Sequence, residues 1–262
     1  MSAYDDAVRD LRRAGCVFAK READVIFAHT DDGGQRRRMV AERVQGAPLE
    51  YVVGFAEFAG VTVHVGAPAF IPRHRAAALV DVADRLLPRA SSVTALDLGC
   101  GCGAIAAALA DRRPGWRVHA TEVDAAAAAY ARTNGATFGF AVHVGDWFDG
   151  LPTSLRGALD LVVAHLPYVP SDAVVMMPRD FRGAEPRRVV DGGSDGLDPW
   201  RAVAPRATAW LASGGALLSQ LAANQVEAAL AIGAAAGWRS SIASAGTTGE
   251  DNVVVLVSRL AG

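Results

Sequence analysis

Lysine is nearly missing from this chain: Lys20 is the only one among 26 Lys and Arg residues. No lysine is therefore on hand near the glycine-rich middle of the sequence, which disfavours chemistry that needs an ammonium there. Cysteine is scarce too, and Cys100 and Cys102 stand one residue apart among glycines. That spacing fits neither a disulfide framework nor a C-x-x-C zinc knuckle, so they read as free thiols in a reducing compartment. No stretch approaches the roughly 18 apolar residues of a membrane span. The opening MSAYDDAVRD is acidic and lacks the apolar core of a leader, so the expectation is a cytoplasmic protein. With 26 basic against 28 acidic side chains the formal charge is -2, and no global field favours a nucleic acid or an anionic membrane. His29, His64, His74, His119 and His143 show no metal-ligand spacing, and no metal is expected.

What is present is enough for a sizeable core: 262 residues, 51% of them hydrophobic, or one large α/β domain with a small accessory domain. Three apolar stripes at helical spacing (Ala7, Val8, Leu11; Val25, Ile26, Ala28; Met39, Val40, Val44) predict a bundle of three short helices, stopped by Pro48, within an N-terminal unit at 1–54. Phe58, Val61, Val63 and Val65 around Ala59-Gly60 predict a hairpin, which with its linker occupies 55–72. A helix is expected over Ala76 to Leu87.

Beyond Pro88, strands and helices alternate, the grammar of a parallel sheet covered on both faces. Seven strands are predicted: Val93 to Leu98, Trp116 to Thr121, Ala141 to Val144, Leu159 to Ala164, Ala216 to Leu221, Trp238 to Ala243 and Val253 to Ser258. Helices fall at Ala104 to Ala110, Ala125 to Arg132, Pro199 to Ala212 and Gln225 to Ala236. The connection Gly246 to Asn252 is too short for a parallel crossover, so the last two strands should pair antiparallel.

The sharpest signal is VTALDLGCGCG, a buried strand running into Gly99, Cys100, Gly101 and Gly103 and then into a helix. Glycines allow a tight turn and close approach of a ligand, and the helix N-terminus offers free N–H groups to an anion. Alone, this string also satisfies a dinucleotide fingerprint. Asp97, two residues before the first glycine, adds a carboxylate for a cationic ligand group; S-adenosyl-L-methionine carries an ammonium and a sulfonium, and NAD has neither. Glu122, at the end of the next strand, is placed for ribose hydroxyls. Asp124 reads as a helix N-cap. Asp146 and Trp147, in a Gly-Asp-Trp-Phe run after the third strand, offer a carboxylate for an adenine amino group and an indole to cover the ring.

These segments resemble the glutamine side-chain amide N-methyltransferases that act on peptide-chain release factors. The resemblance is carried by PLEYVVG at Pro48 to Gly54, FIPR at Phe70 to Arg73, DLGCGCGAIA at Asp97 to Ala106, GDWF at Gly145 to Phe148, PYVP at Pro167 to Pro170, and EPRRVVDGGSDGLD at Glu185 to Asp198. It implies a seven-stranded, Rossmann-like class I methyltransferase fold over 73–262, with S-adenosyl-L-methionine held by Asp97, Gly99, Gly101, Glu122, Asp146 and Trp147. Two departures stand out. Where the family reads N-P-P-Y, with the Asn side chain and a following carbonyl holding the amide nitrogen, this chain has His165-Leu166-Pro167-Tyr168. Where a Thr-Glu pair usually follows FIPR, here stand His74 and Arg75.

His165 is a candidate base with an ordinary pKa near ~6.5, also touching the cofactor, and Tyr168 a candidate catalytic wall or donor. Arg73, Arg75, Leu166, Pro167, Tyr168 and Glu185 are the candidate substrate contacts, with Asp191 and Asp195 in a glycine-rich flap and Met176-Met177-Pro178 a candidate lid. The cofactor half reads as intact and the acceptor half as rewritten. The resulting expectation is a methyltransferase with a small-molecule or carrier-bound acceptor in specialised metabolism; the sequence leaves the oligomeric state open, a homo- or hetero-oligomer included. Ring closure with loss of a leaving group, a noncatalytic subunit, a release-factor-type glutamine methyltransferase and an NAD-dependent oxidoreductase are the alternatives. The GGSDG string at Gly192 matches a nucleophile elbow only formally, because no strand leads into it.

Overall fold

A computed structural model describes residues 2–87, 92–177, 183–243 and 253–260. The chain opens with four helices: α1 (Ala3–Arg13), α2 (Ala19–His29), α3 (Gly33–Val44) and α4 (Leu49–Val53). Ser2 and Asp5 cap α1 reciprocally, satisfying amides the first turn leaves open. Val8 and Leu11 pack on Ala19 and Ala23, while Ile26, Met39 and Val53 form a second small cluster. The helix α4 is absent from the sequence expectation, which takes Pro48 as a stop. Pro48 instead stands at its N-cap, where a missing N–H costs nothing.

Strands β1 (Phe55–Phe58) and β2 (Val61–His64) form the expected hairpin. Ala59 and Gly60 at its tip both have positive φ, 48° and 97°, the turn geometry whose twist suits a two-residue hairpin. Phe58, Val61, Val63 and Val65 are buried in the same core as the helices of one sheet face.

The large sheet contains β3 (Thr94–Leu98), β4 (Arg117–Glu122), β5 (Ala141–Val144), β6 (Leu159–Ala164), β7 (Leu211–Ala222), β8 (Trp238–Ala243) and β9 (Val253–Leu260), in the order β5-β4-β3-β6-β7-β9-β8. Only β9 runs against its neighbours, so the α/β fold with an antiparallel C-terminal pair is present as the sequence predicts. The connection expected over Gly246 to Asn252 lies outside the described residues. Helices α5 (Ala77–Leu86), α6 (Ala104–Arg112) and α7 (Ala125–Phe138) share one core with the hairpin; α8 (Asp198–Ala207) and α9 (Val226–Ala235) cover the other face.

Three boundaries differ from expectation by about five residues or more. The helix expected to end at Ala212 stops at Ala207, and β7 starts at Leu211, pairing with Leu159 of β6; the apolar Trp210-Leu211-Ala212 run fits either period. Helix α7 runs six residues past Arg132 to Phe138, and Gly139, with φ of 82°, ends it. Among the described residues no helix is long and apolar enough to cross a membrane.

With β4 on one side of β3 and β6 on the other, the strand order reverses at β3. A crevice therefore opens beyond the carboxyl ends of these strands, the usual ligand position in such sheets.

Candidate active site

The crevice is built first by the turn after β3. Gly99 and Gly103 have φ of 71° and 82°, a region that side chains rarely adopt. A Cβ on Gly103 would also lie 2.8 Å from the Phe140 ring. Carboxylates fix this turn from below. Glu122 Oε2 accepts from Gly101 N at 2.8 Å and its Oε1 from Asp124 N at 2.9 Å, while Asp97 Oδ2 accepts from Ala106 N at 2.9 Å. Asp124 caps α7 as expected, accepting from Ala126 and Ala127. Asn134, buried in α7, accepts from His64 N and donates to the carbonyls of both His64 and Cys102.

Above the turn lies a cavity of about 430 Å³. Asp97, Glu122, Asp124 and Asp146 bring four carboxylates to its wall, with Gly99, Cys100, Gly101, Trp147, Arg73, His165 and Pro167 beside them. The Trp147 indole covers the turn: a Cβ on Gly99 would lie 3.3 Å from it, and Trp147 itself holds φ of 52°, an uncommon conformation for a bulky residue. Burial raises the Asp97 carboxyl to about 7, with the charge of Glu122 adding to it. Burial also pushes the Cys100 thiol well above its ordinary range and Cys102 to about 12, which keeps both protonated and unreactive at neutral pH.

On the acceptor side, His165 follows β6 directly. Its ring meets Phe70 edge-on at 5.6 Å between centroids and Tyr168 at 6.0 Å. Burial, then the charges of Arg75 and Arg73, lower its pKa to about 4. The imidazole is therefore neutral near pH 7 and a poor proton acceptor, which moves it from the expected base toward a hydrogen-bond partner.

Other expected contacts are placed differently. Gly103 sits behind the turn against Phe140, and Leu166 is buried in the core. Glu185 is turned inward: one oxygen accepts from Ile71 N at 2.9 Å and the other pairs with Arg73, whose guanidinium stands 4.6 Å over the Phe70 ring. The glycine-rich segment after Val190 is a strap, not a flap. Gly192 N donates to Val169 O at 2.8 Å, Ser171 N to Gly193 O at 2.9 Å, and Gln225 Nε2 to Tyr168 O at 2.8 Å and Asp195 O at 2.9 Å. Asp191 is occupied by Ser171, Arg187 and Gly193, and Asp195 by Arg201; these partners hold both carboxyls at about 2. Asp198 is the first residue of α8. Of the candidate lid, Met176 is exposed and Pro178 lies outside the described residues. Sequence reasoning gave no role to Phe70, Asn134 or Gln225; a polar side chain within the alanine-rich α7 was the one available sign for Asn134.

The methyltransferase small domain family matches residues 76–185. Over 254 residues the chain is 36% identical to a release factor glutamine methyltransferase of Moorella thermoacetica, covering 90% of this chain and 89% of that one. This chain belongs to the release factor glutamine methyltransferase family. A family member from Geobacter sulfurreducens is 36% identical over 220 residues, covering 83% of this chain and 76% of its own length. The fold is shared with a methyltransferase from Pyrococcus furiosus at a TM-score of 0.56 and 16% identity, across 87% of this chain and 98% of that one.

Membership overturns the expected small-molecule or carrier-bound acceptor and its place in specialised metabolism, since these relatives are named for modifying a release factor, a protein. The expectation gave the loss of Asn at position 165 too much weight. A neutral imidazole still offers one acceptor nitrogen, so replacing the amide does not end recognition of an N–H donor.

Proposed function

We propose that this family member is an S-adenosyl-L-methionine-dependent methyltransferase that modifies a glutamine side-chain amide in a protein of the release-factor class. The observation that carries it is the neutral His165 ring set between Phe70 and Tyr168 at the edge of a carboxylate-lined cavity, in a chain 36% identical to such an enzyme along 90% of its length.

The cavity suits the cofactor. Asp97 supplies a buried carboxylate for its ammonium, Glu122 and Asp146 acceptors for hydroxyl and amino hydrogens, and Trp147 a flat apolar cover. When bound, the cofactor supplies an electrophilic methyl group on a sulfonium. The chain's part is positioning, which can account for roughly 7 to 11 kcal/mol of a barrier. His165 accepts a hydrogen bond from the amide N–H, with the Leu166 carbonyl as the second acceptor, and so aims the nitrogen. With a pKa of about 4, His165 does not retain the amide proton, which passes to solvent.

Incubating the protein with labelled S-adenosyl-L-methionine and a purified bacterial release factor tests this. One methyl on a single glutamine, located by peptide mass spectrometry, is the expected result; label in no glutamine-containing peptide would refute it.

A further inference from the structure

We propose that Arg75 is a specificity residue at the acceptor mouth, selecting polypeptide substrates that carry a carboxylate side chain beside the methylated residue. This rests on the protein-methylating reading above and adds the local chemistry of the substrate.

The arginines near His165 differ in their pairing among the described residues. Arg73 is paired with the buried Glu185, and Arg188, at the cavity wall, is paired with Asp124. His165 is neutral near pH 7. Arg75 is exposed and forms no ion pair among the described residues; its guanidinium carbon stands 5.9 Å from the centroid of the Tyr168 ring. The carboxylates of the cavity do not offset it, because they stand at the ends of β3, β4 and β5 around the glycine turn, whereas Arg75 stands over the tetrad after β6. Among the described residues, Arg75 is thus the guanidinium beside His165 and Tyr168 that has no carboxylate partner.

That charge is held in place from behind. Arg75 lies in a single 3₁₀ turn, His74–Ala76, and its carbonyl accepts a hydrogen bond at 3.0 Å from Nε2 of Gln220, a buried residue of β7. The backbone is pinned while the planar fork rests on an aromatic face and keeps its N–H donors open. A fork of this kind matches a carboxylate in two-pronged geometry. At a solvent-exposed rim the pairing is modest and weakened by salt.

The test uses two synthetic peptides of equal length with a central glutamine, one flanked by Asp and one by Asn. At low salt the wild-type enzyme is expected to show a KM about fivefold lower for the Asp peptide, the scale of an exposed ion pair. Arg75→Gln should bring the ratio of the two KM values to unity, Arg75→Lys should restore part of it, and added salt should erode it. No preference in the wild type, or a preference that survives Arg75→Gln, overturns the proposal. If neither short peptide is methylated, calorimetry on the cofactor-loaded protein decides this proposal, and the methylation reading is judged separately on the intact release factor. Tighter binding of the Asp peptide that Arg75→Gln abolishes supports it, whereas equal binding, or binding of neither, overturns it.

Discussion

The Glu122 carboxylate joins two backbone amides from different segments, with Oε2 2.8 Å from Gly101 N and Oε1 2.9 Å from Asp124 N. It ties the end of β4 to the glycine turn before any ligand is present. Glu122→Ala leaves both amides without this acceptor, at a cost of about 1–3 kcal/mol each where buried. Thermal melts should show the loss of stability, and calorimetric titration with S-adenosyl-L-methionine a loss of affinity of at least about tenfold, or ~1.4 kcal/mol. A variant that melts normally and binds normally would contradict this account of the turn.

Asp97 gives cofactor binding a pH dependence. Its carboxyl sits at about 7 in the folded protein, so near neutrality it is partly protonated, while a cationic ligand favours the ionised form. Binding should therefore release a proton and strengthen as pH rises through 7, levelling off about a unit above. Asp97→Asn keeps an acceptor for Ala106 N but should flatten the profile. Titrations in buffers of different ionisation enthalpy measure both.

His165 bears on stability with the opposite sign to Asp97. Its folded-state pKa of about 4 lies below the ordinary ~6.5, so the folded protein binds fewer protons than the unfolded chain. The stability from burying a neutral ring is fully present above about pH 6.5 and is lost as pH falls toward 4, by roughly 1–3 kcal/mol. Asp97, with a raised value, contributes most at low pH and less as pH climbs toward 7. Comparing wild type with His165→Asn by urea unfolding isolates the first effect: the stability difference should be constant above about pH 6.5 and change below it.

For turnover, His165→Asn should stay within about tenfold of wild type, since an amide oxygen accepts the same hydrogen bond. His165→Phe should lose on the order of 10²-fold in kcat with little change in cofactor affinity. The wild-type rate should show no His165 ionisation between about pH 6 and 8. A steep loss in both variants would point to a proton-transfer role instead.

Gly196, in the strap, has φ of 78°, and a Cβ there would collide with Gln225 Nε2 and the Tyr168 carbonyl oxygen. Gly196→Ala should cost more than about 1 kcal/mol and raise KM for the acceptor while leaving cofactor affinity nearly intact. Melts and paired titrations separate the two effects.

Much of this was legible in the sequence, and the gaps have physical causes. Three strand ranges, β5, β6 and β8, match to the residue because Gly145, Gly157 and Gly237 punctuate the chain at or near one end of each. The start of β7 did not show, because it depends on pairing with Leu159 across the sheet, which no local pattern encodes. The cofactor half was readable because its glycines and carboxylates lie close together in sequence. Glu185 was read as a substrate contact because its two partners, Ile71 and Arg73, lie more than a hundred residues away. His165 was given an ordinary pKa because burial and the nearby arginines appear only once the chain is folded.

Asn134 binds the rim of the hairpin and the glycine turn with one carboxamide. Any tug on β2, such as a macromolecule docking against the N-terminal helices, reaches the Cys102 carbonyl through a single rigid group instead of a soft chain of contacts. The hairpin and the glycine turn thus share a hinge pin, and shortening it to Ala should let the two report on each other less.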